Sequence, residues 1–163
     1  MKVLIYASNV KNLEKSGVGK ACIHQQKCLD LVHIPYTTNP KDDYDIAHIN
    51  TVFPDALLLA RKAKAKGKKV IFHAHSTEED FRNSFRFSNG AAPAFKQWLK
   101  VCYSQGDLIL TPTPYSKKLI ENYGIKKEII PLSNGIDLQF FNPTKEGAER
   151  FRKKYNFSKN DKV

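Results

Sequence analysis

The sequence predicts an α/β protein with a Rossmann-like open parallel sheet and helices on both faces. Three observations carry this prediction: short apolar segments rich in Val and Ile recur along the chain, amphipathic segments separate them, and most connections are long enough to hold a helix. Strands joined through helices pair in parallel, because a long crossover returns the chain to the same edge of the sheet. The 163 residues match the size of one domain.

The first half of the chain alternates strands and helices. We expect strands over residues 2–7, 34–38, 45–50 and 69–75. The first helix is expected from Val18 to His33, because apolar or semi-polar residues recur at three- and four-residue steps at Val18, Cys22, Gln25, Leu29 and Val32. A second helix is expected over residues 55–66, with Gly67 ending it.

The second half continues the alternation after an insertion-like stretch. Residues 76–105 predict two helical pieces around the breakers Ser88–Asn89–Gly90 and Pro93, the first capped by Ser76 or Thr77. A strand (107–111), a helix (114–123), a strand (128–132) and a basic helix (148–155) follow. Lys162–Val163 resembles the start of another strand, so we divide the chain into a domain over 1–137 and a segment over 138–163 that leads into a further domain.

Charge and composition narrow the class of protein. The chain has 27 basic and 16 acidic residues, a net charge of +11, which favours a polyanionic surface, substrate or lipid layer. Its apolar runs are all far shorter than the roughly 20 residues that cross a bilayer, and the N-terminus lacks the apolar core of a secretion signal, so we expect a cytoplasmic protein. Cys22, Cys28 and Cys102 are odd in number without a C-x-x-C pair, and we interpret them as small core residues.

A glycine-rich turn precedes the first helix. Ser16–Gly17–Val18–Gly19–Lys20 allows backbone N–H groups to approach an anion at a helix N-terminus, which predicts a phosphate site, although a flexible turn has the same composition. The G-x-G-x-x-G pattern of a dinucleotide site and the G-x-x-x-x-G-K pattern of a Walker loop are both missing from the sequence.

The fourth predicted strand ends in His73–Ala74–His75. Residues two apart on a strand share a face, and His75 leaves the strand at its end, where a substrate hydroxyl can reach it. His73 also fits a core position, and both histidines with His48 suggest metal ligation, but the sequence offers no obvious fourth ligand and we predict no metal. Glu78, Glu79 and Asp80 are expected to stabilise the N-terminus of the next helix.

Aromatic and basic residues alternate between the fourth and fifth strands. The set comprises Phe81, Arg82, Phe85, Arg86, Phe87, Phe95, Lys96, Trp98 and Lys100. An amphipathic surface of this kind rests on anionic lipid, while the alternative is that the rings are core and the cations solvated. Six more cations lie between Arg61 and Lys69, and each adds roughly 1 kcal/mol if it reaches the same lipid surface.

The order of motifs along the chain resembles glycosyltransferase family 4, whose members have the retaining GT-B fold. The motifs are S-G-V-G-K at residue 16, H-I-N-T at 48, H-A-H-S-T-E-E-D-F at 73, T-P-T-P-Y-S-K at 111, and S-N-G-I-D at 133 followed by F-F-N-P. The whole chain is similar to the N-terminal half of such an enzyme, and the stretch F-R-N-S-F-R-F-S-N-G with the helix after it looks most like bacterial diacylglycerol glucosyltransferases.

The resemblance implies roles for individual residues. Gly17 and Gly19 would lie against the diphosphate of a nucleotide sugar, His75 near the transferred sugar, and Asn134–Gly135 at the interdomain hinge. Phe85, Arg86, Phe87, Phe95, Lys96, Trp98 and Lys100 would form the acceptor or membrane surface. Residues 1–137 would then be the acceptor-side domain, and residues 138–163 the crossover into a C-terminal donor-binding domain without which the fragment is inactive.

The resemblance also implies an activity. A hexosyltransferase of this kind would transfer glucose from UDP-glucose to diacylglycerol with retention and without a cofactor, on the inner face of the cell membrane. Two alternatives stay open: a family 4 enzyme with a sugar or other acceptor, and a basic nucleic-acid-binding module. The second is disfavoured because the sequence lacks helix-turn-helix, finger and RNP-like spacing, so we expect no nucleic-acid partner.

Overall fold

A parallel sheet organises the computed structural model, which describes residues 1–8 and 16–162. Within these residues six strands pair in the order β2–β1–β3–β4–β5–β6, every pair parallel. They are β1 (Val3–Tyr6), β2 (Tyr36–Thr37), β3 (Ile46–Ile49), β4 (Lys69–His73), β5 (Leu108–Thr111) and β6 (Glu128–Pro131). The predicted α/β class and open parallel sheet are confirmed.

Helices connect most of the strands and follow the last one. They are α1 (Gly17–Leu31), α2 (Pro54–Ala65), α3 (Glu78–Phe81), α4 (Ser88–Tyr103), α5 (Pro114–Glu121) and α6 (Lys145–Lys154). The element order is as predicted, with ends that shift by a few residues. The strand start expected at Lys162–Val163 lies partly outside the described residues.

The boundary between α3 and α4 differs from the prediction. Pro93 lies inside α4 rather than between two helices, and Ser88, Asn89 and Gly90 begin α4 rather than break it. The break falls earlier, because Asn83 (φ 60°) and Phe87 (φ 70°) both adopt the left-handed conformation. The side chain of Asn89 holds this turn by accepting from the Asn83 N–H at 2.9 Å and donating to its side-chain oxygen at 2.8 Å.

Apolar side chains cover both faces of the sheet. One face packs Leu4, Ala47, Val70 and Phe72 against residues of α2, α4 and α5, while the other packs Val3, Ile5 and Ala7 against α1. Cys22 and Cys102 are buried as predicted, but Cys28 is exposed. The prediction for Cys28 was wrong, since the position next to it, Leu29, is the one that packs on the sheet.

The strand order fixes where a ligand site belongs. β1 lies between β2 and β3, so the chain leaves β1 toward one edge of the sheet and later returns to its other side. In open α/β sheets, the crevice at the carboxyl ends of two such strands is the usual ligand site. Here Ser8 follows β1, and Asn50 and Thr51 follow β3.

Candidate active site

The glycine turn opens α1 beside this crevice. The Ser16 hydroxyl caps the helix by accepting from the Gly19 N–H at 3.1 Å. Gly17 is exposed, and a Cβ added there would meet no atom of residues 1–8 and 16–162 within 4 Å, whereas Gly19 is buried. The first turn of α1 carries no acidic residue, so the positive end of the helix is not neutralised by a carboxylate of its own first turn.

Three histidine rings form a stack at the ends of β3 and β4. His48 pairs in register with Ile71, so the alternation of side chains places His48 and His73 on the same face of neighbouring strands. The His48 and His73 rings lie 5.5 Å apart at 12°, and the His73 and His75 rings 4.2 Å apart at 16°. His75 therefore lies at the outer end of a stack anchored in the sheet.

Burial keeps this stack neutral. Loss of hydration lowers the pKa of His75 to about 4, and burial together with the neighbouring histidines lowers the pKa of His48 to about 4 and of His73 to about 3. All three imidazoles are therefore uncharged near pH 7, where each has one N–H and one lone pair.

Two side-chain amides connect the histidines to α1. The Gln25 side chain, on α1, donates to Asn50 Oδ1 at 2.7 Å and lies 3.0 Å from His73 Nδ1. Asn50 Oδ1 also lies 3.1 Å from His75 Nε2. His73 is buried, and its Nε2 has no hydrogen-bond partner among the described residues. Residues 1–8 and 16–162 contain no group of three or more His, Cys, Asp or Glu side chains arranged to hold a metal ion.

A second polar group lies in the same crevice, and sequence reasoning did not identify it. The Ser8 hydroxyl donates to Asp55 at 2.8 Å and lies 2.9 Å from the Thr51 hydroxyl. The Tyr6 hydroxyl donates to the other Asp55 oxygen at 2.7 Å, and burial and this carboxylate raise the pKa of Tyr6 to about 12. These contacts tie β1, β3 and the start of α2 together at the crevice.

The predicted acceptor or membrane surface divides into two parts. Phe85, Arg86 and Phe87, which we call the apex, are exposed, and Arg86 lies 4.9 Å from the centre of the Phe87 ring. Phe95 instead stacks on Phe81 at 4.3 Å, and the Trp98 indole donates to the Val52 carbonyl at 2.6 Å. The apex is therefore the exposed part of the predicted surface.

Lys96 and Lys100 of the predicted surface are partly buried, and Lys96 shares an ion pair with Arg82 and Glu78. Glu78 is nearly buried, and its carboxylate binds Arg82 at 2.6 Å and Lys96 at 3.1 Å. The Lys96 ammonium also lies 4.7 Å from the centre of the Tyr123 ring. Lys100 is half-buried.

Thr77 caps α3 by accepting from the Asp80 N–H, which confirms one of the two predicted caps.

The basic run from Arg61 to Lys69 is not next to the apex. It extends from the second half of α2 into β4, so its last cations lie toward the amino edge of the sheet, while the apex follows the carboxyl end of β4. Lys64 and Lys68 pair with Asp107 and Asp43 at 3.6 and 3.0 Å. These cations therefore belong to another part of the surface.

The predicted hinge residues, Asn134 and Gly135, follow β6, and Gly135 contacts α1. Gly135 adopts φ 77°, a conformation that glycine tolerates. Its carbonyl accepts from His24 Nδ1 at 3.2 Å, and Asp137 pairs with Lys27 at 3.0 Å. The helix that carries the glycine turn is thus bound directly to the segment that leaves the sheet.

An open parallel sheet with polar side chains at the carboxyl ends of its central strands defines the class of α/β folds that bind ligands at that edge of the sheet. Residues 29–140 match the model of the family described as Glycosyltransferase Family 4. Because this match covers more than half of the chain, the chain belongs to glycosyltransferase family 4.

A curated relative narrows the comparison. The chain is 44% identical over 164 aligned positions to a processive diacylglycerol alpha-glucosyltransferase of Acholeplasma laidlawii, which is covered over 48% of its own length. The chain therefore spans about half the length of this relative and aligns along all of its own residues.

None of the helices in the described part of the chain has the length and apolar character required to traverse a bilayer.

Proposed function

We propose that the chain forms the acceptor-side domain of a two-domain enzyme that transfers glucose from UDP-glucose to the hydroxyl of diacylglycerol. The observation that carries the proposal is the 44% identity, along the whole chain, to a diacylglycerol glucosyltransferase. In this two-domain enzyme residues 1–137 form the acceptor-side domain, and residues 138–163 lead into the domain that binds the donor.

The site supports this chemistry through position and charge. The acceptor oxygen bonds to the anomeric carbon, the bond from that carbon to UDP breaks, and the products are the α-glucoside, UDP and the hydroxyl proton. The reaction needs stabilisation of the departing diphosphate, which the positive end of α1 supplies at Gly17, while the Gly19 N–H is already donated to the capping Ser16 hydroxyl. Neutral His75 contacts the transferred sugar at the crevice.

The activity is tested with donor and acceptor pairs. The two-domain enzyme is expected to convert UDP-glucose and diacylglycerol in mixed micelles to α-glucosyl-diacylglycerol, identified by mass spectrometry and by the anomeric proton coupling. GDP-mannose as donor and a water-soluble glucoside as acceptor are the comparisons. Faster transfer to the soluble glucoside would overturn the lipid acceptor, and faster transfer from GDP-mannose would overturn the donor.

We further propose that the protein attaches peripherally to the inner face of the membrane through the apex. Phe85 and Phe87 are 58% and 78% exposed, and a cation lies between them in sequence. Aromatic rings at the headgroup boundary with adjacent cations are typical of proteins that rest on anionic lipid.

Removing the two rings is expected to weaken vesicle binding about tenfold. The reason is that partial burial of two Phe side chains contributes at least about 1.4 kcal/mol to the binding free energy, which corresponds to that factor. The variant is Phe85→Ser with Phe87→Asn, because Asn tolerates the positive φ of residue 87. Flotation with phosphatidylglycerol-containing vesicles at low salt measures the effect. Phe140→Ser is the control, because Phe140 is 79% exposed and lies outside the apex. Equal recovery of wild type with neutral and anionic vesicles would contradict the proposal.

A further inference from the structure

The side-chain amides of Gln25 and Asn50 face each other in a fixed orientation. Gln25 Nε2 donates to Asn50 Oδ1 at 2.7 Å, and Asn50 Nδ2 donates to Gln25 Oε1 at 3.0 Å. Asn50 Nδ2 also points to the Tyr6 carbonyl at 3.5 Å. Rotating the Asn50 amide alone would place its oxygen against Gln25 Oε1. Rotating both amides together would keep their pairing but place the Asn50 oxygen 3.5 Å from the Tyr6 carbonyl oxygen, so the contact with Tyr6 selects the orientation described.

This orientation determines the protonation of His75. Asn50 Oδ1 is an acceptor without a proton, and it lies 3.1 Å from His75 Nε2. Nε2 of His75 must therefore carry the hydrogen. Because a neutral imidazole has one N–H, Nδ1 of His75 presents its lone pair, and it makes no hydrogen bond within the described part of the chain.

The remaining Gln25 proton has a defined partner too. Gln25 Nε2 lies 3.0 Å from His73 Nδ1, and His48 Nε2 lies 3.3 Å from the same nitrogen. Because the Gln25 amide nitrogen can only donate, His73 Nδ1 accepts and the hydrogen of His73 is on Nε2. The His73 ring stacks on His75 at 4.2 Å. The stack fixes the plane of the His75 ring, and the amide pair fixes which ring edge is turned toward Asn50.

We infer that Gln25 and Asn50 are positioning residues that hold His75 as the Nε2–H tautomer, with Nδ1 turned into an acceptor for a substrate hydroxyl. The tautomer follows from the contacts alone. The identification of the hydroxyl as one of the glucose or acceptor groups rests on the proposed function.

The tautomer is tested by NMR of the ¹⁵N-labelled chain near pH 7.5, with His75→Gln identifying the His75 signals. We expect a one-bond N–H correlation at Nε2 of His75 and, at Nδ1, the nitrogen shift of an unprotonated ring. Gln25→Met keeps the size of the side chain and frees the Asn50 amide to rotate, so the Nε2–H signal should be lost to exchange with water. Asn50→Ala removes the acceptor and should have the same effect.

Gln26→Met is the matched control, because Gln26 neighbours Gln25 on α1 but donates only to the Cys22 carbonyl of its own helix. It should retain the wild-type His75 signals. A wild-type spectrum with the proton on Nδ1, or a folded Gln25→Met variant with unchanged His75 signals, would overturn the inference. Once His75→Gln has assigned the His75 signals, the wild-type spectrum decides the first point, whether or not Gln25→Met and Asn50→Ala fold.

Kinetics of the two-domain enzyme separate this inference from the proposed function. Gln25→Met should lower kcat about tenfold with little change in KM for UDP-glucose, since a misplaced contact to the reacting sugar affects the transition state more than binding. Gln26→Met should leave both constants unchanged, and equal kcat in the two variants would remove the positioning role. If the wild type forms no glucolipid while the His75 tautomer is as described, the proposed function fails and the tautomer assignment stands.

Discussion

Lowering the pH from 7 toward 4 is expected to destabilise the protein strongly and to unfold it in that interval. The cause is the histidine stack. Burial lowers the pKa of His48 to about 4, of His73 to about 3 and of His75 to about 4 in the folded state. In the unfolded chain each histidine titrates near its ordinary value of about 6.5.

The sign follows from which state binds the proton. Between about pH 6.5 and pH 4 the histidines bind protons in the unfolded state but not in the folded stack, so the free energy of unfolding falls as the pH falls. Each histidine contributes a slope of up to about 1.4 kcal/mol per pH unit, and three contribute roughly 4 kcal/mol per pH unit. A domain of this size has a free energy of unfolding of about 5–15 kcal/mol, and a fall of two pH units lowers it by roughly 8 kcal/mol.

Urea unfolding followed by circular dichroism from pH 8 to pH 5 measures this slope. His48→Leu removes one titrating group from the stack and should reduce the slope by about one third. His33→Asn is the control, because His33 is exposed at a positive φ that Asn tolerates, and it should leave the slope unchanged. Stability that is constant between pH 7 and pH 5 would show that the stack does not set the acid limit.

The fold could be predicted because its signals are local. The apolar runs at residues 3–7 and 70–72 are too short for a helix, and each is bounded by polar residues. The α3–α4 boundary was misplaced because Ser, Asn, Gly and Pro at residues 88–93 signal a break by composition. The hydrogen bonds between Asn89 and Asn83 allow a helix to start there, and amino-acid composition does not reveal such a contact.

The candidate site could be predicted in part. The ends of β1 and β4 identified Gly17 and His75, because carboxyl ends of parallel strands converge. Gln25 was visible only as a polar member of the apolar stripe of α1, which is a signal that it has a polar partner on the sheet. That its partners are Asn50 and His73 depends on three-dimensional packing between α1, β3 and β4, which periodicity within one element does not report.

For the predicted acceptor or membrane surface as well, the sequence does not tell which side chains are exposed. Phe85 and Trp98 are both aromatic residues near basic ones, yet Phe85 is exposed while Trp98 packs on the core and donates to the Val52 carbonyl. Phe85 and Phe87 precede α4, and Phe87 has the left-handed conformation at its N-cap, whereas Phe95 and Trp98 lie within the helix. A sequence pattern identifies an aromatic face but does not say which of its members reach solvent.

Replacing Gly17 by leucine is expected to abolish most glucosyl transfer without affecting folding. A Cβ at residue 17 would meet no atom of the described part of the chain within 4 Å, and leucine is a better helix former than glycine, so the melting temperature should stay the same or rise slightly. In the two-domain enzyme the same open space is where the donor diphosphate is proposed to lie against the N-terminus of α1. A branched side chain there separates the phosphate oxygens from the backbone N–H groups.

The expected loss in kcat/KM for UDP-glucose is about 100-fold, the size of effect that follows when a backbone donor to a developing anion is removed. Gly17→Ala should give a smaller loss, because a single methyl group displaces the phosphate less. Gly90→Leu is the matched control: Gly90 also lies in the first turn of a helix, is exposed, and has no atom within 4 Å of an added Cβ. Because Gly90 is at the start of α4, far in sequence from the glycine turn, that variant should turn over as the wild type does. If Gly17→Leu retained the wild-type kcat/KM with an unchanged melting temperature, the diphosphate would have to bind away from α1, and the anionic half of the site would need to be sought among the cations of the second domain.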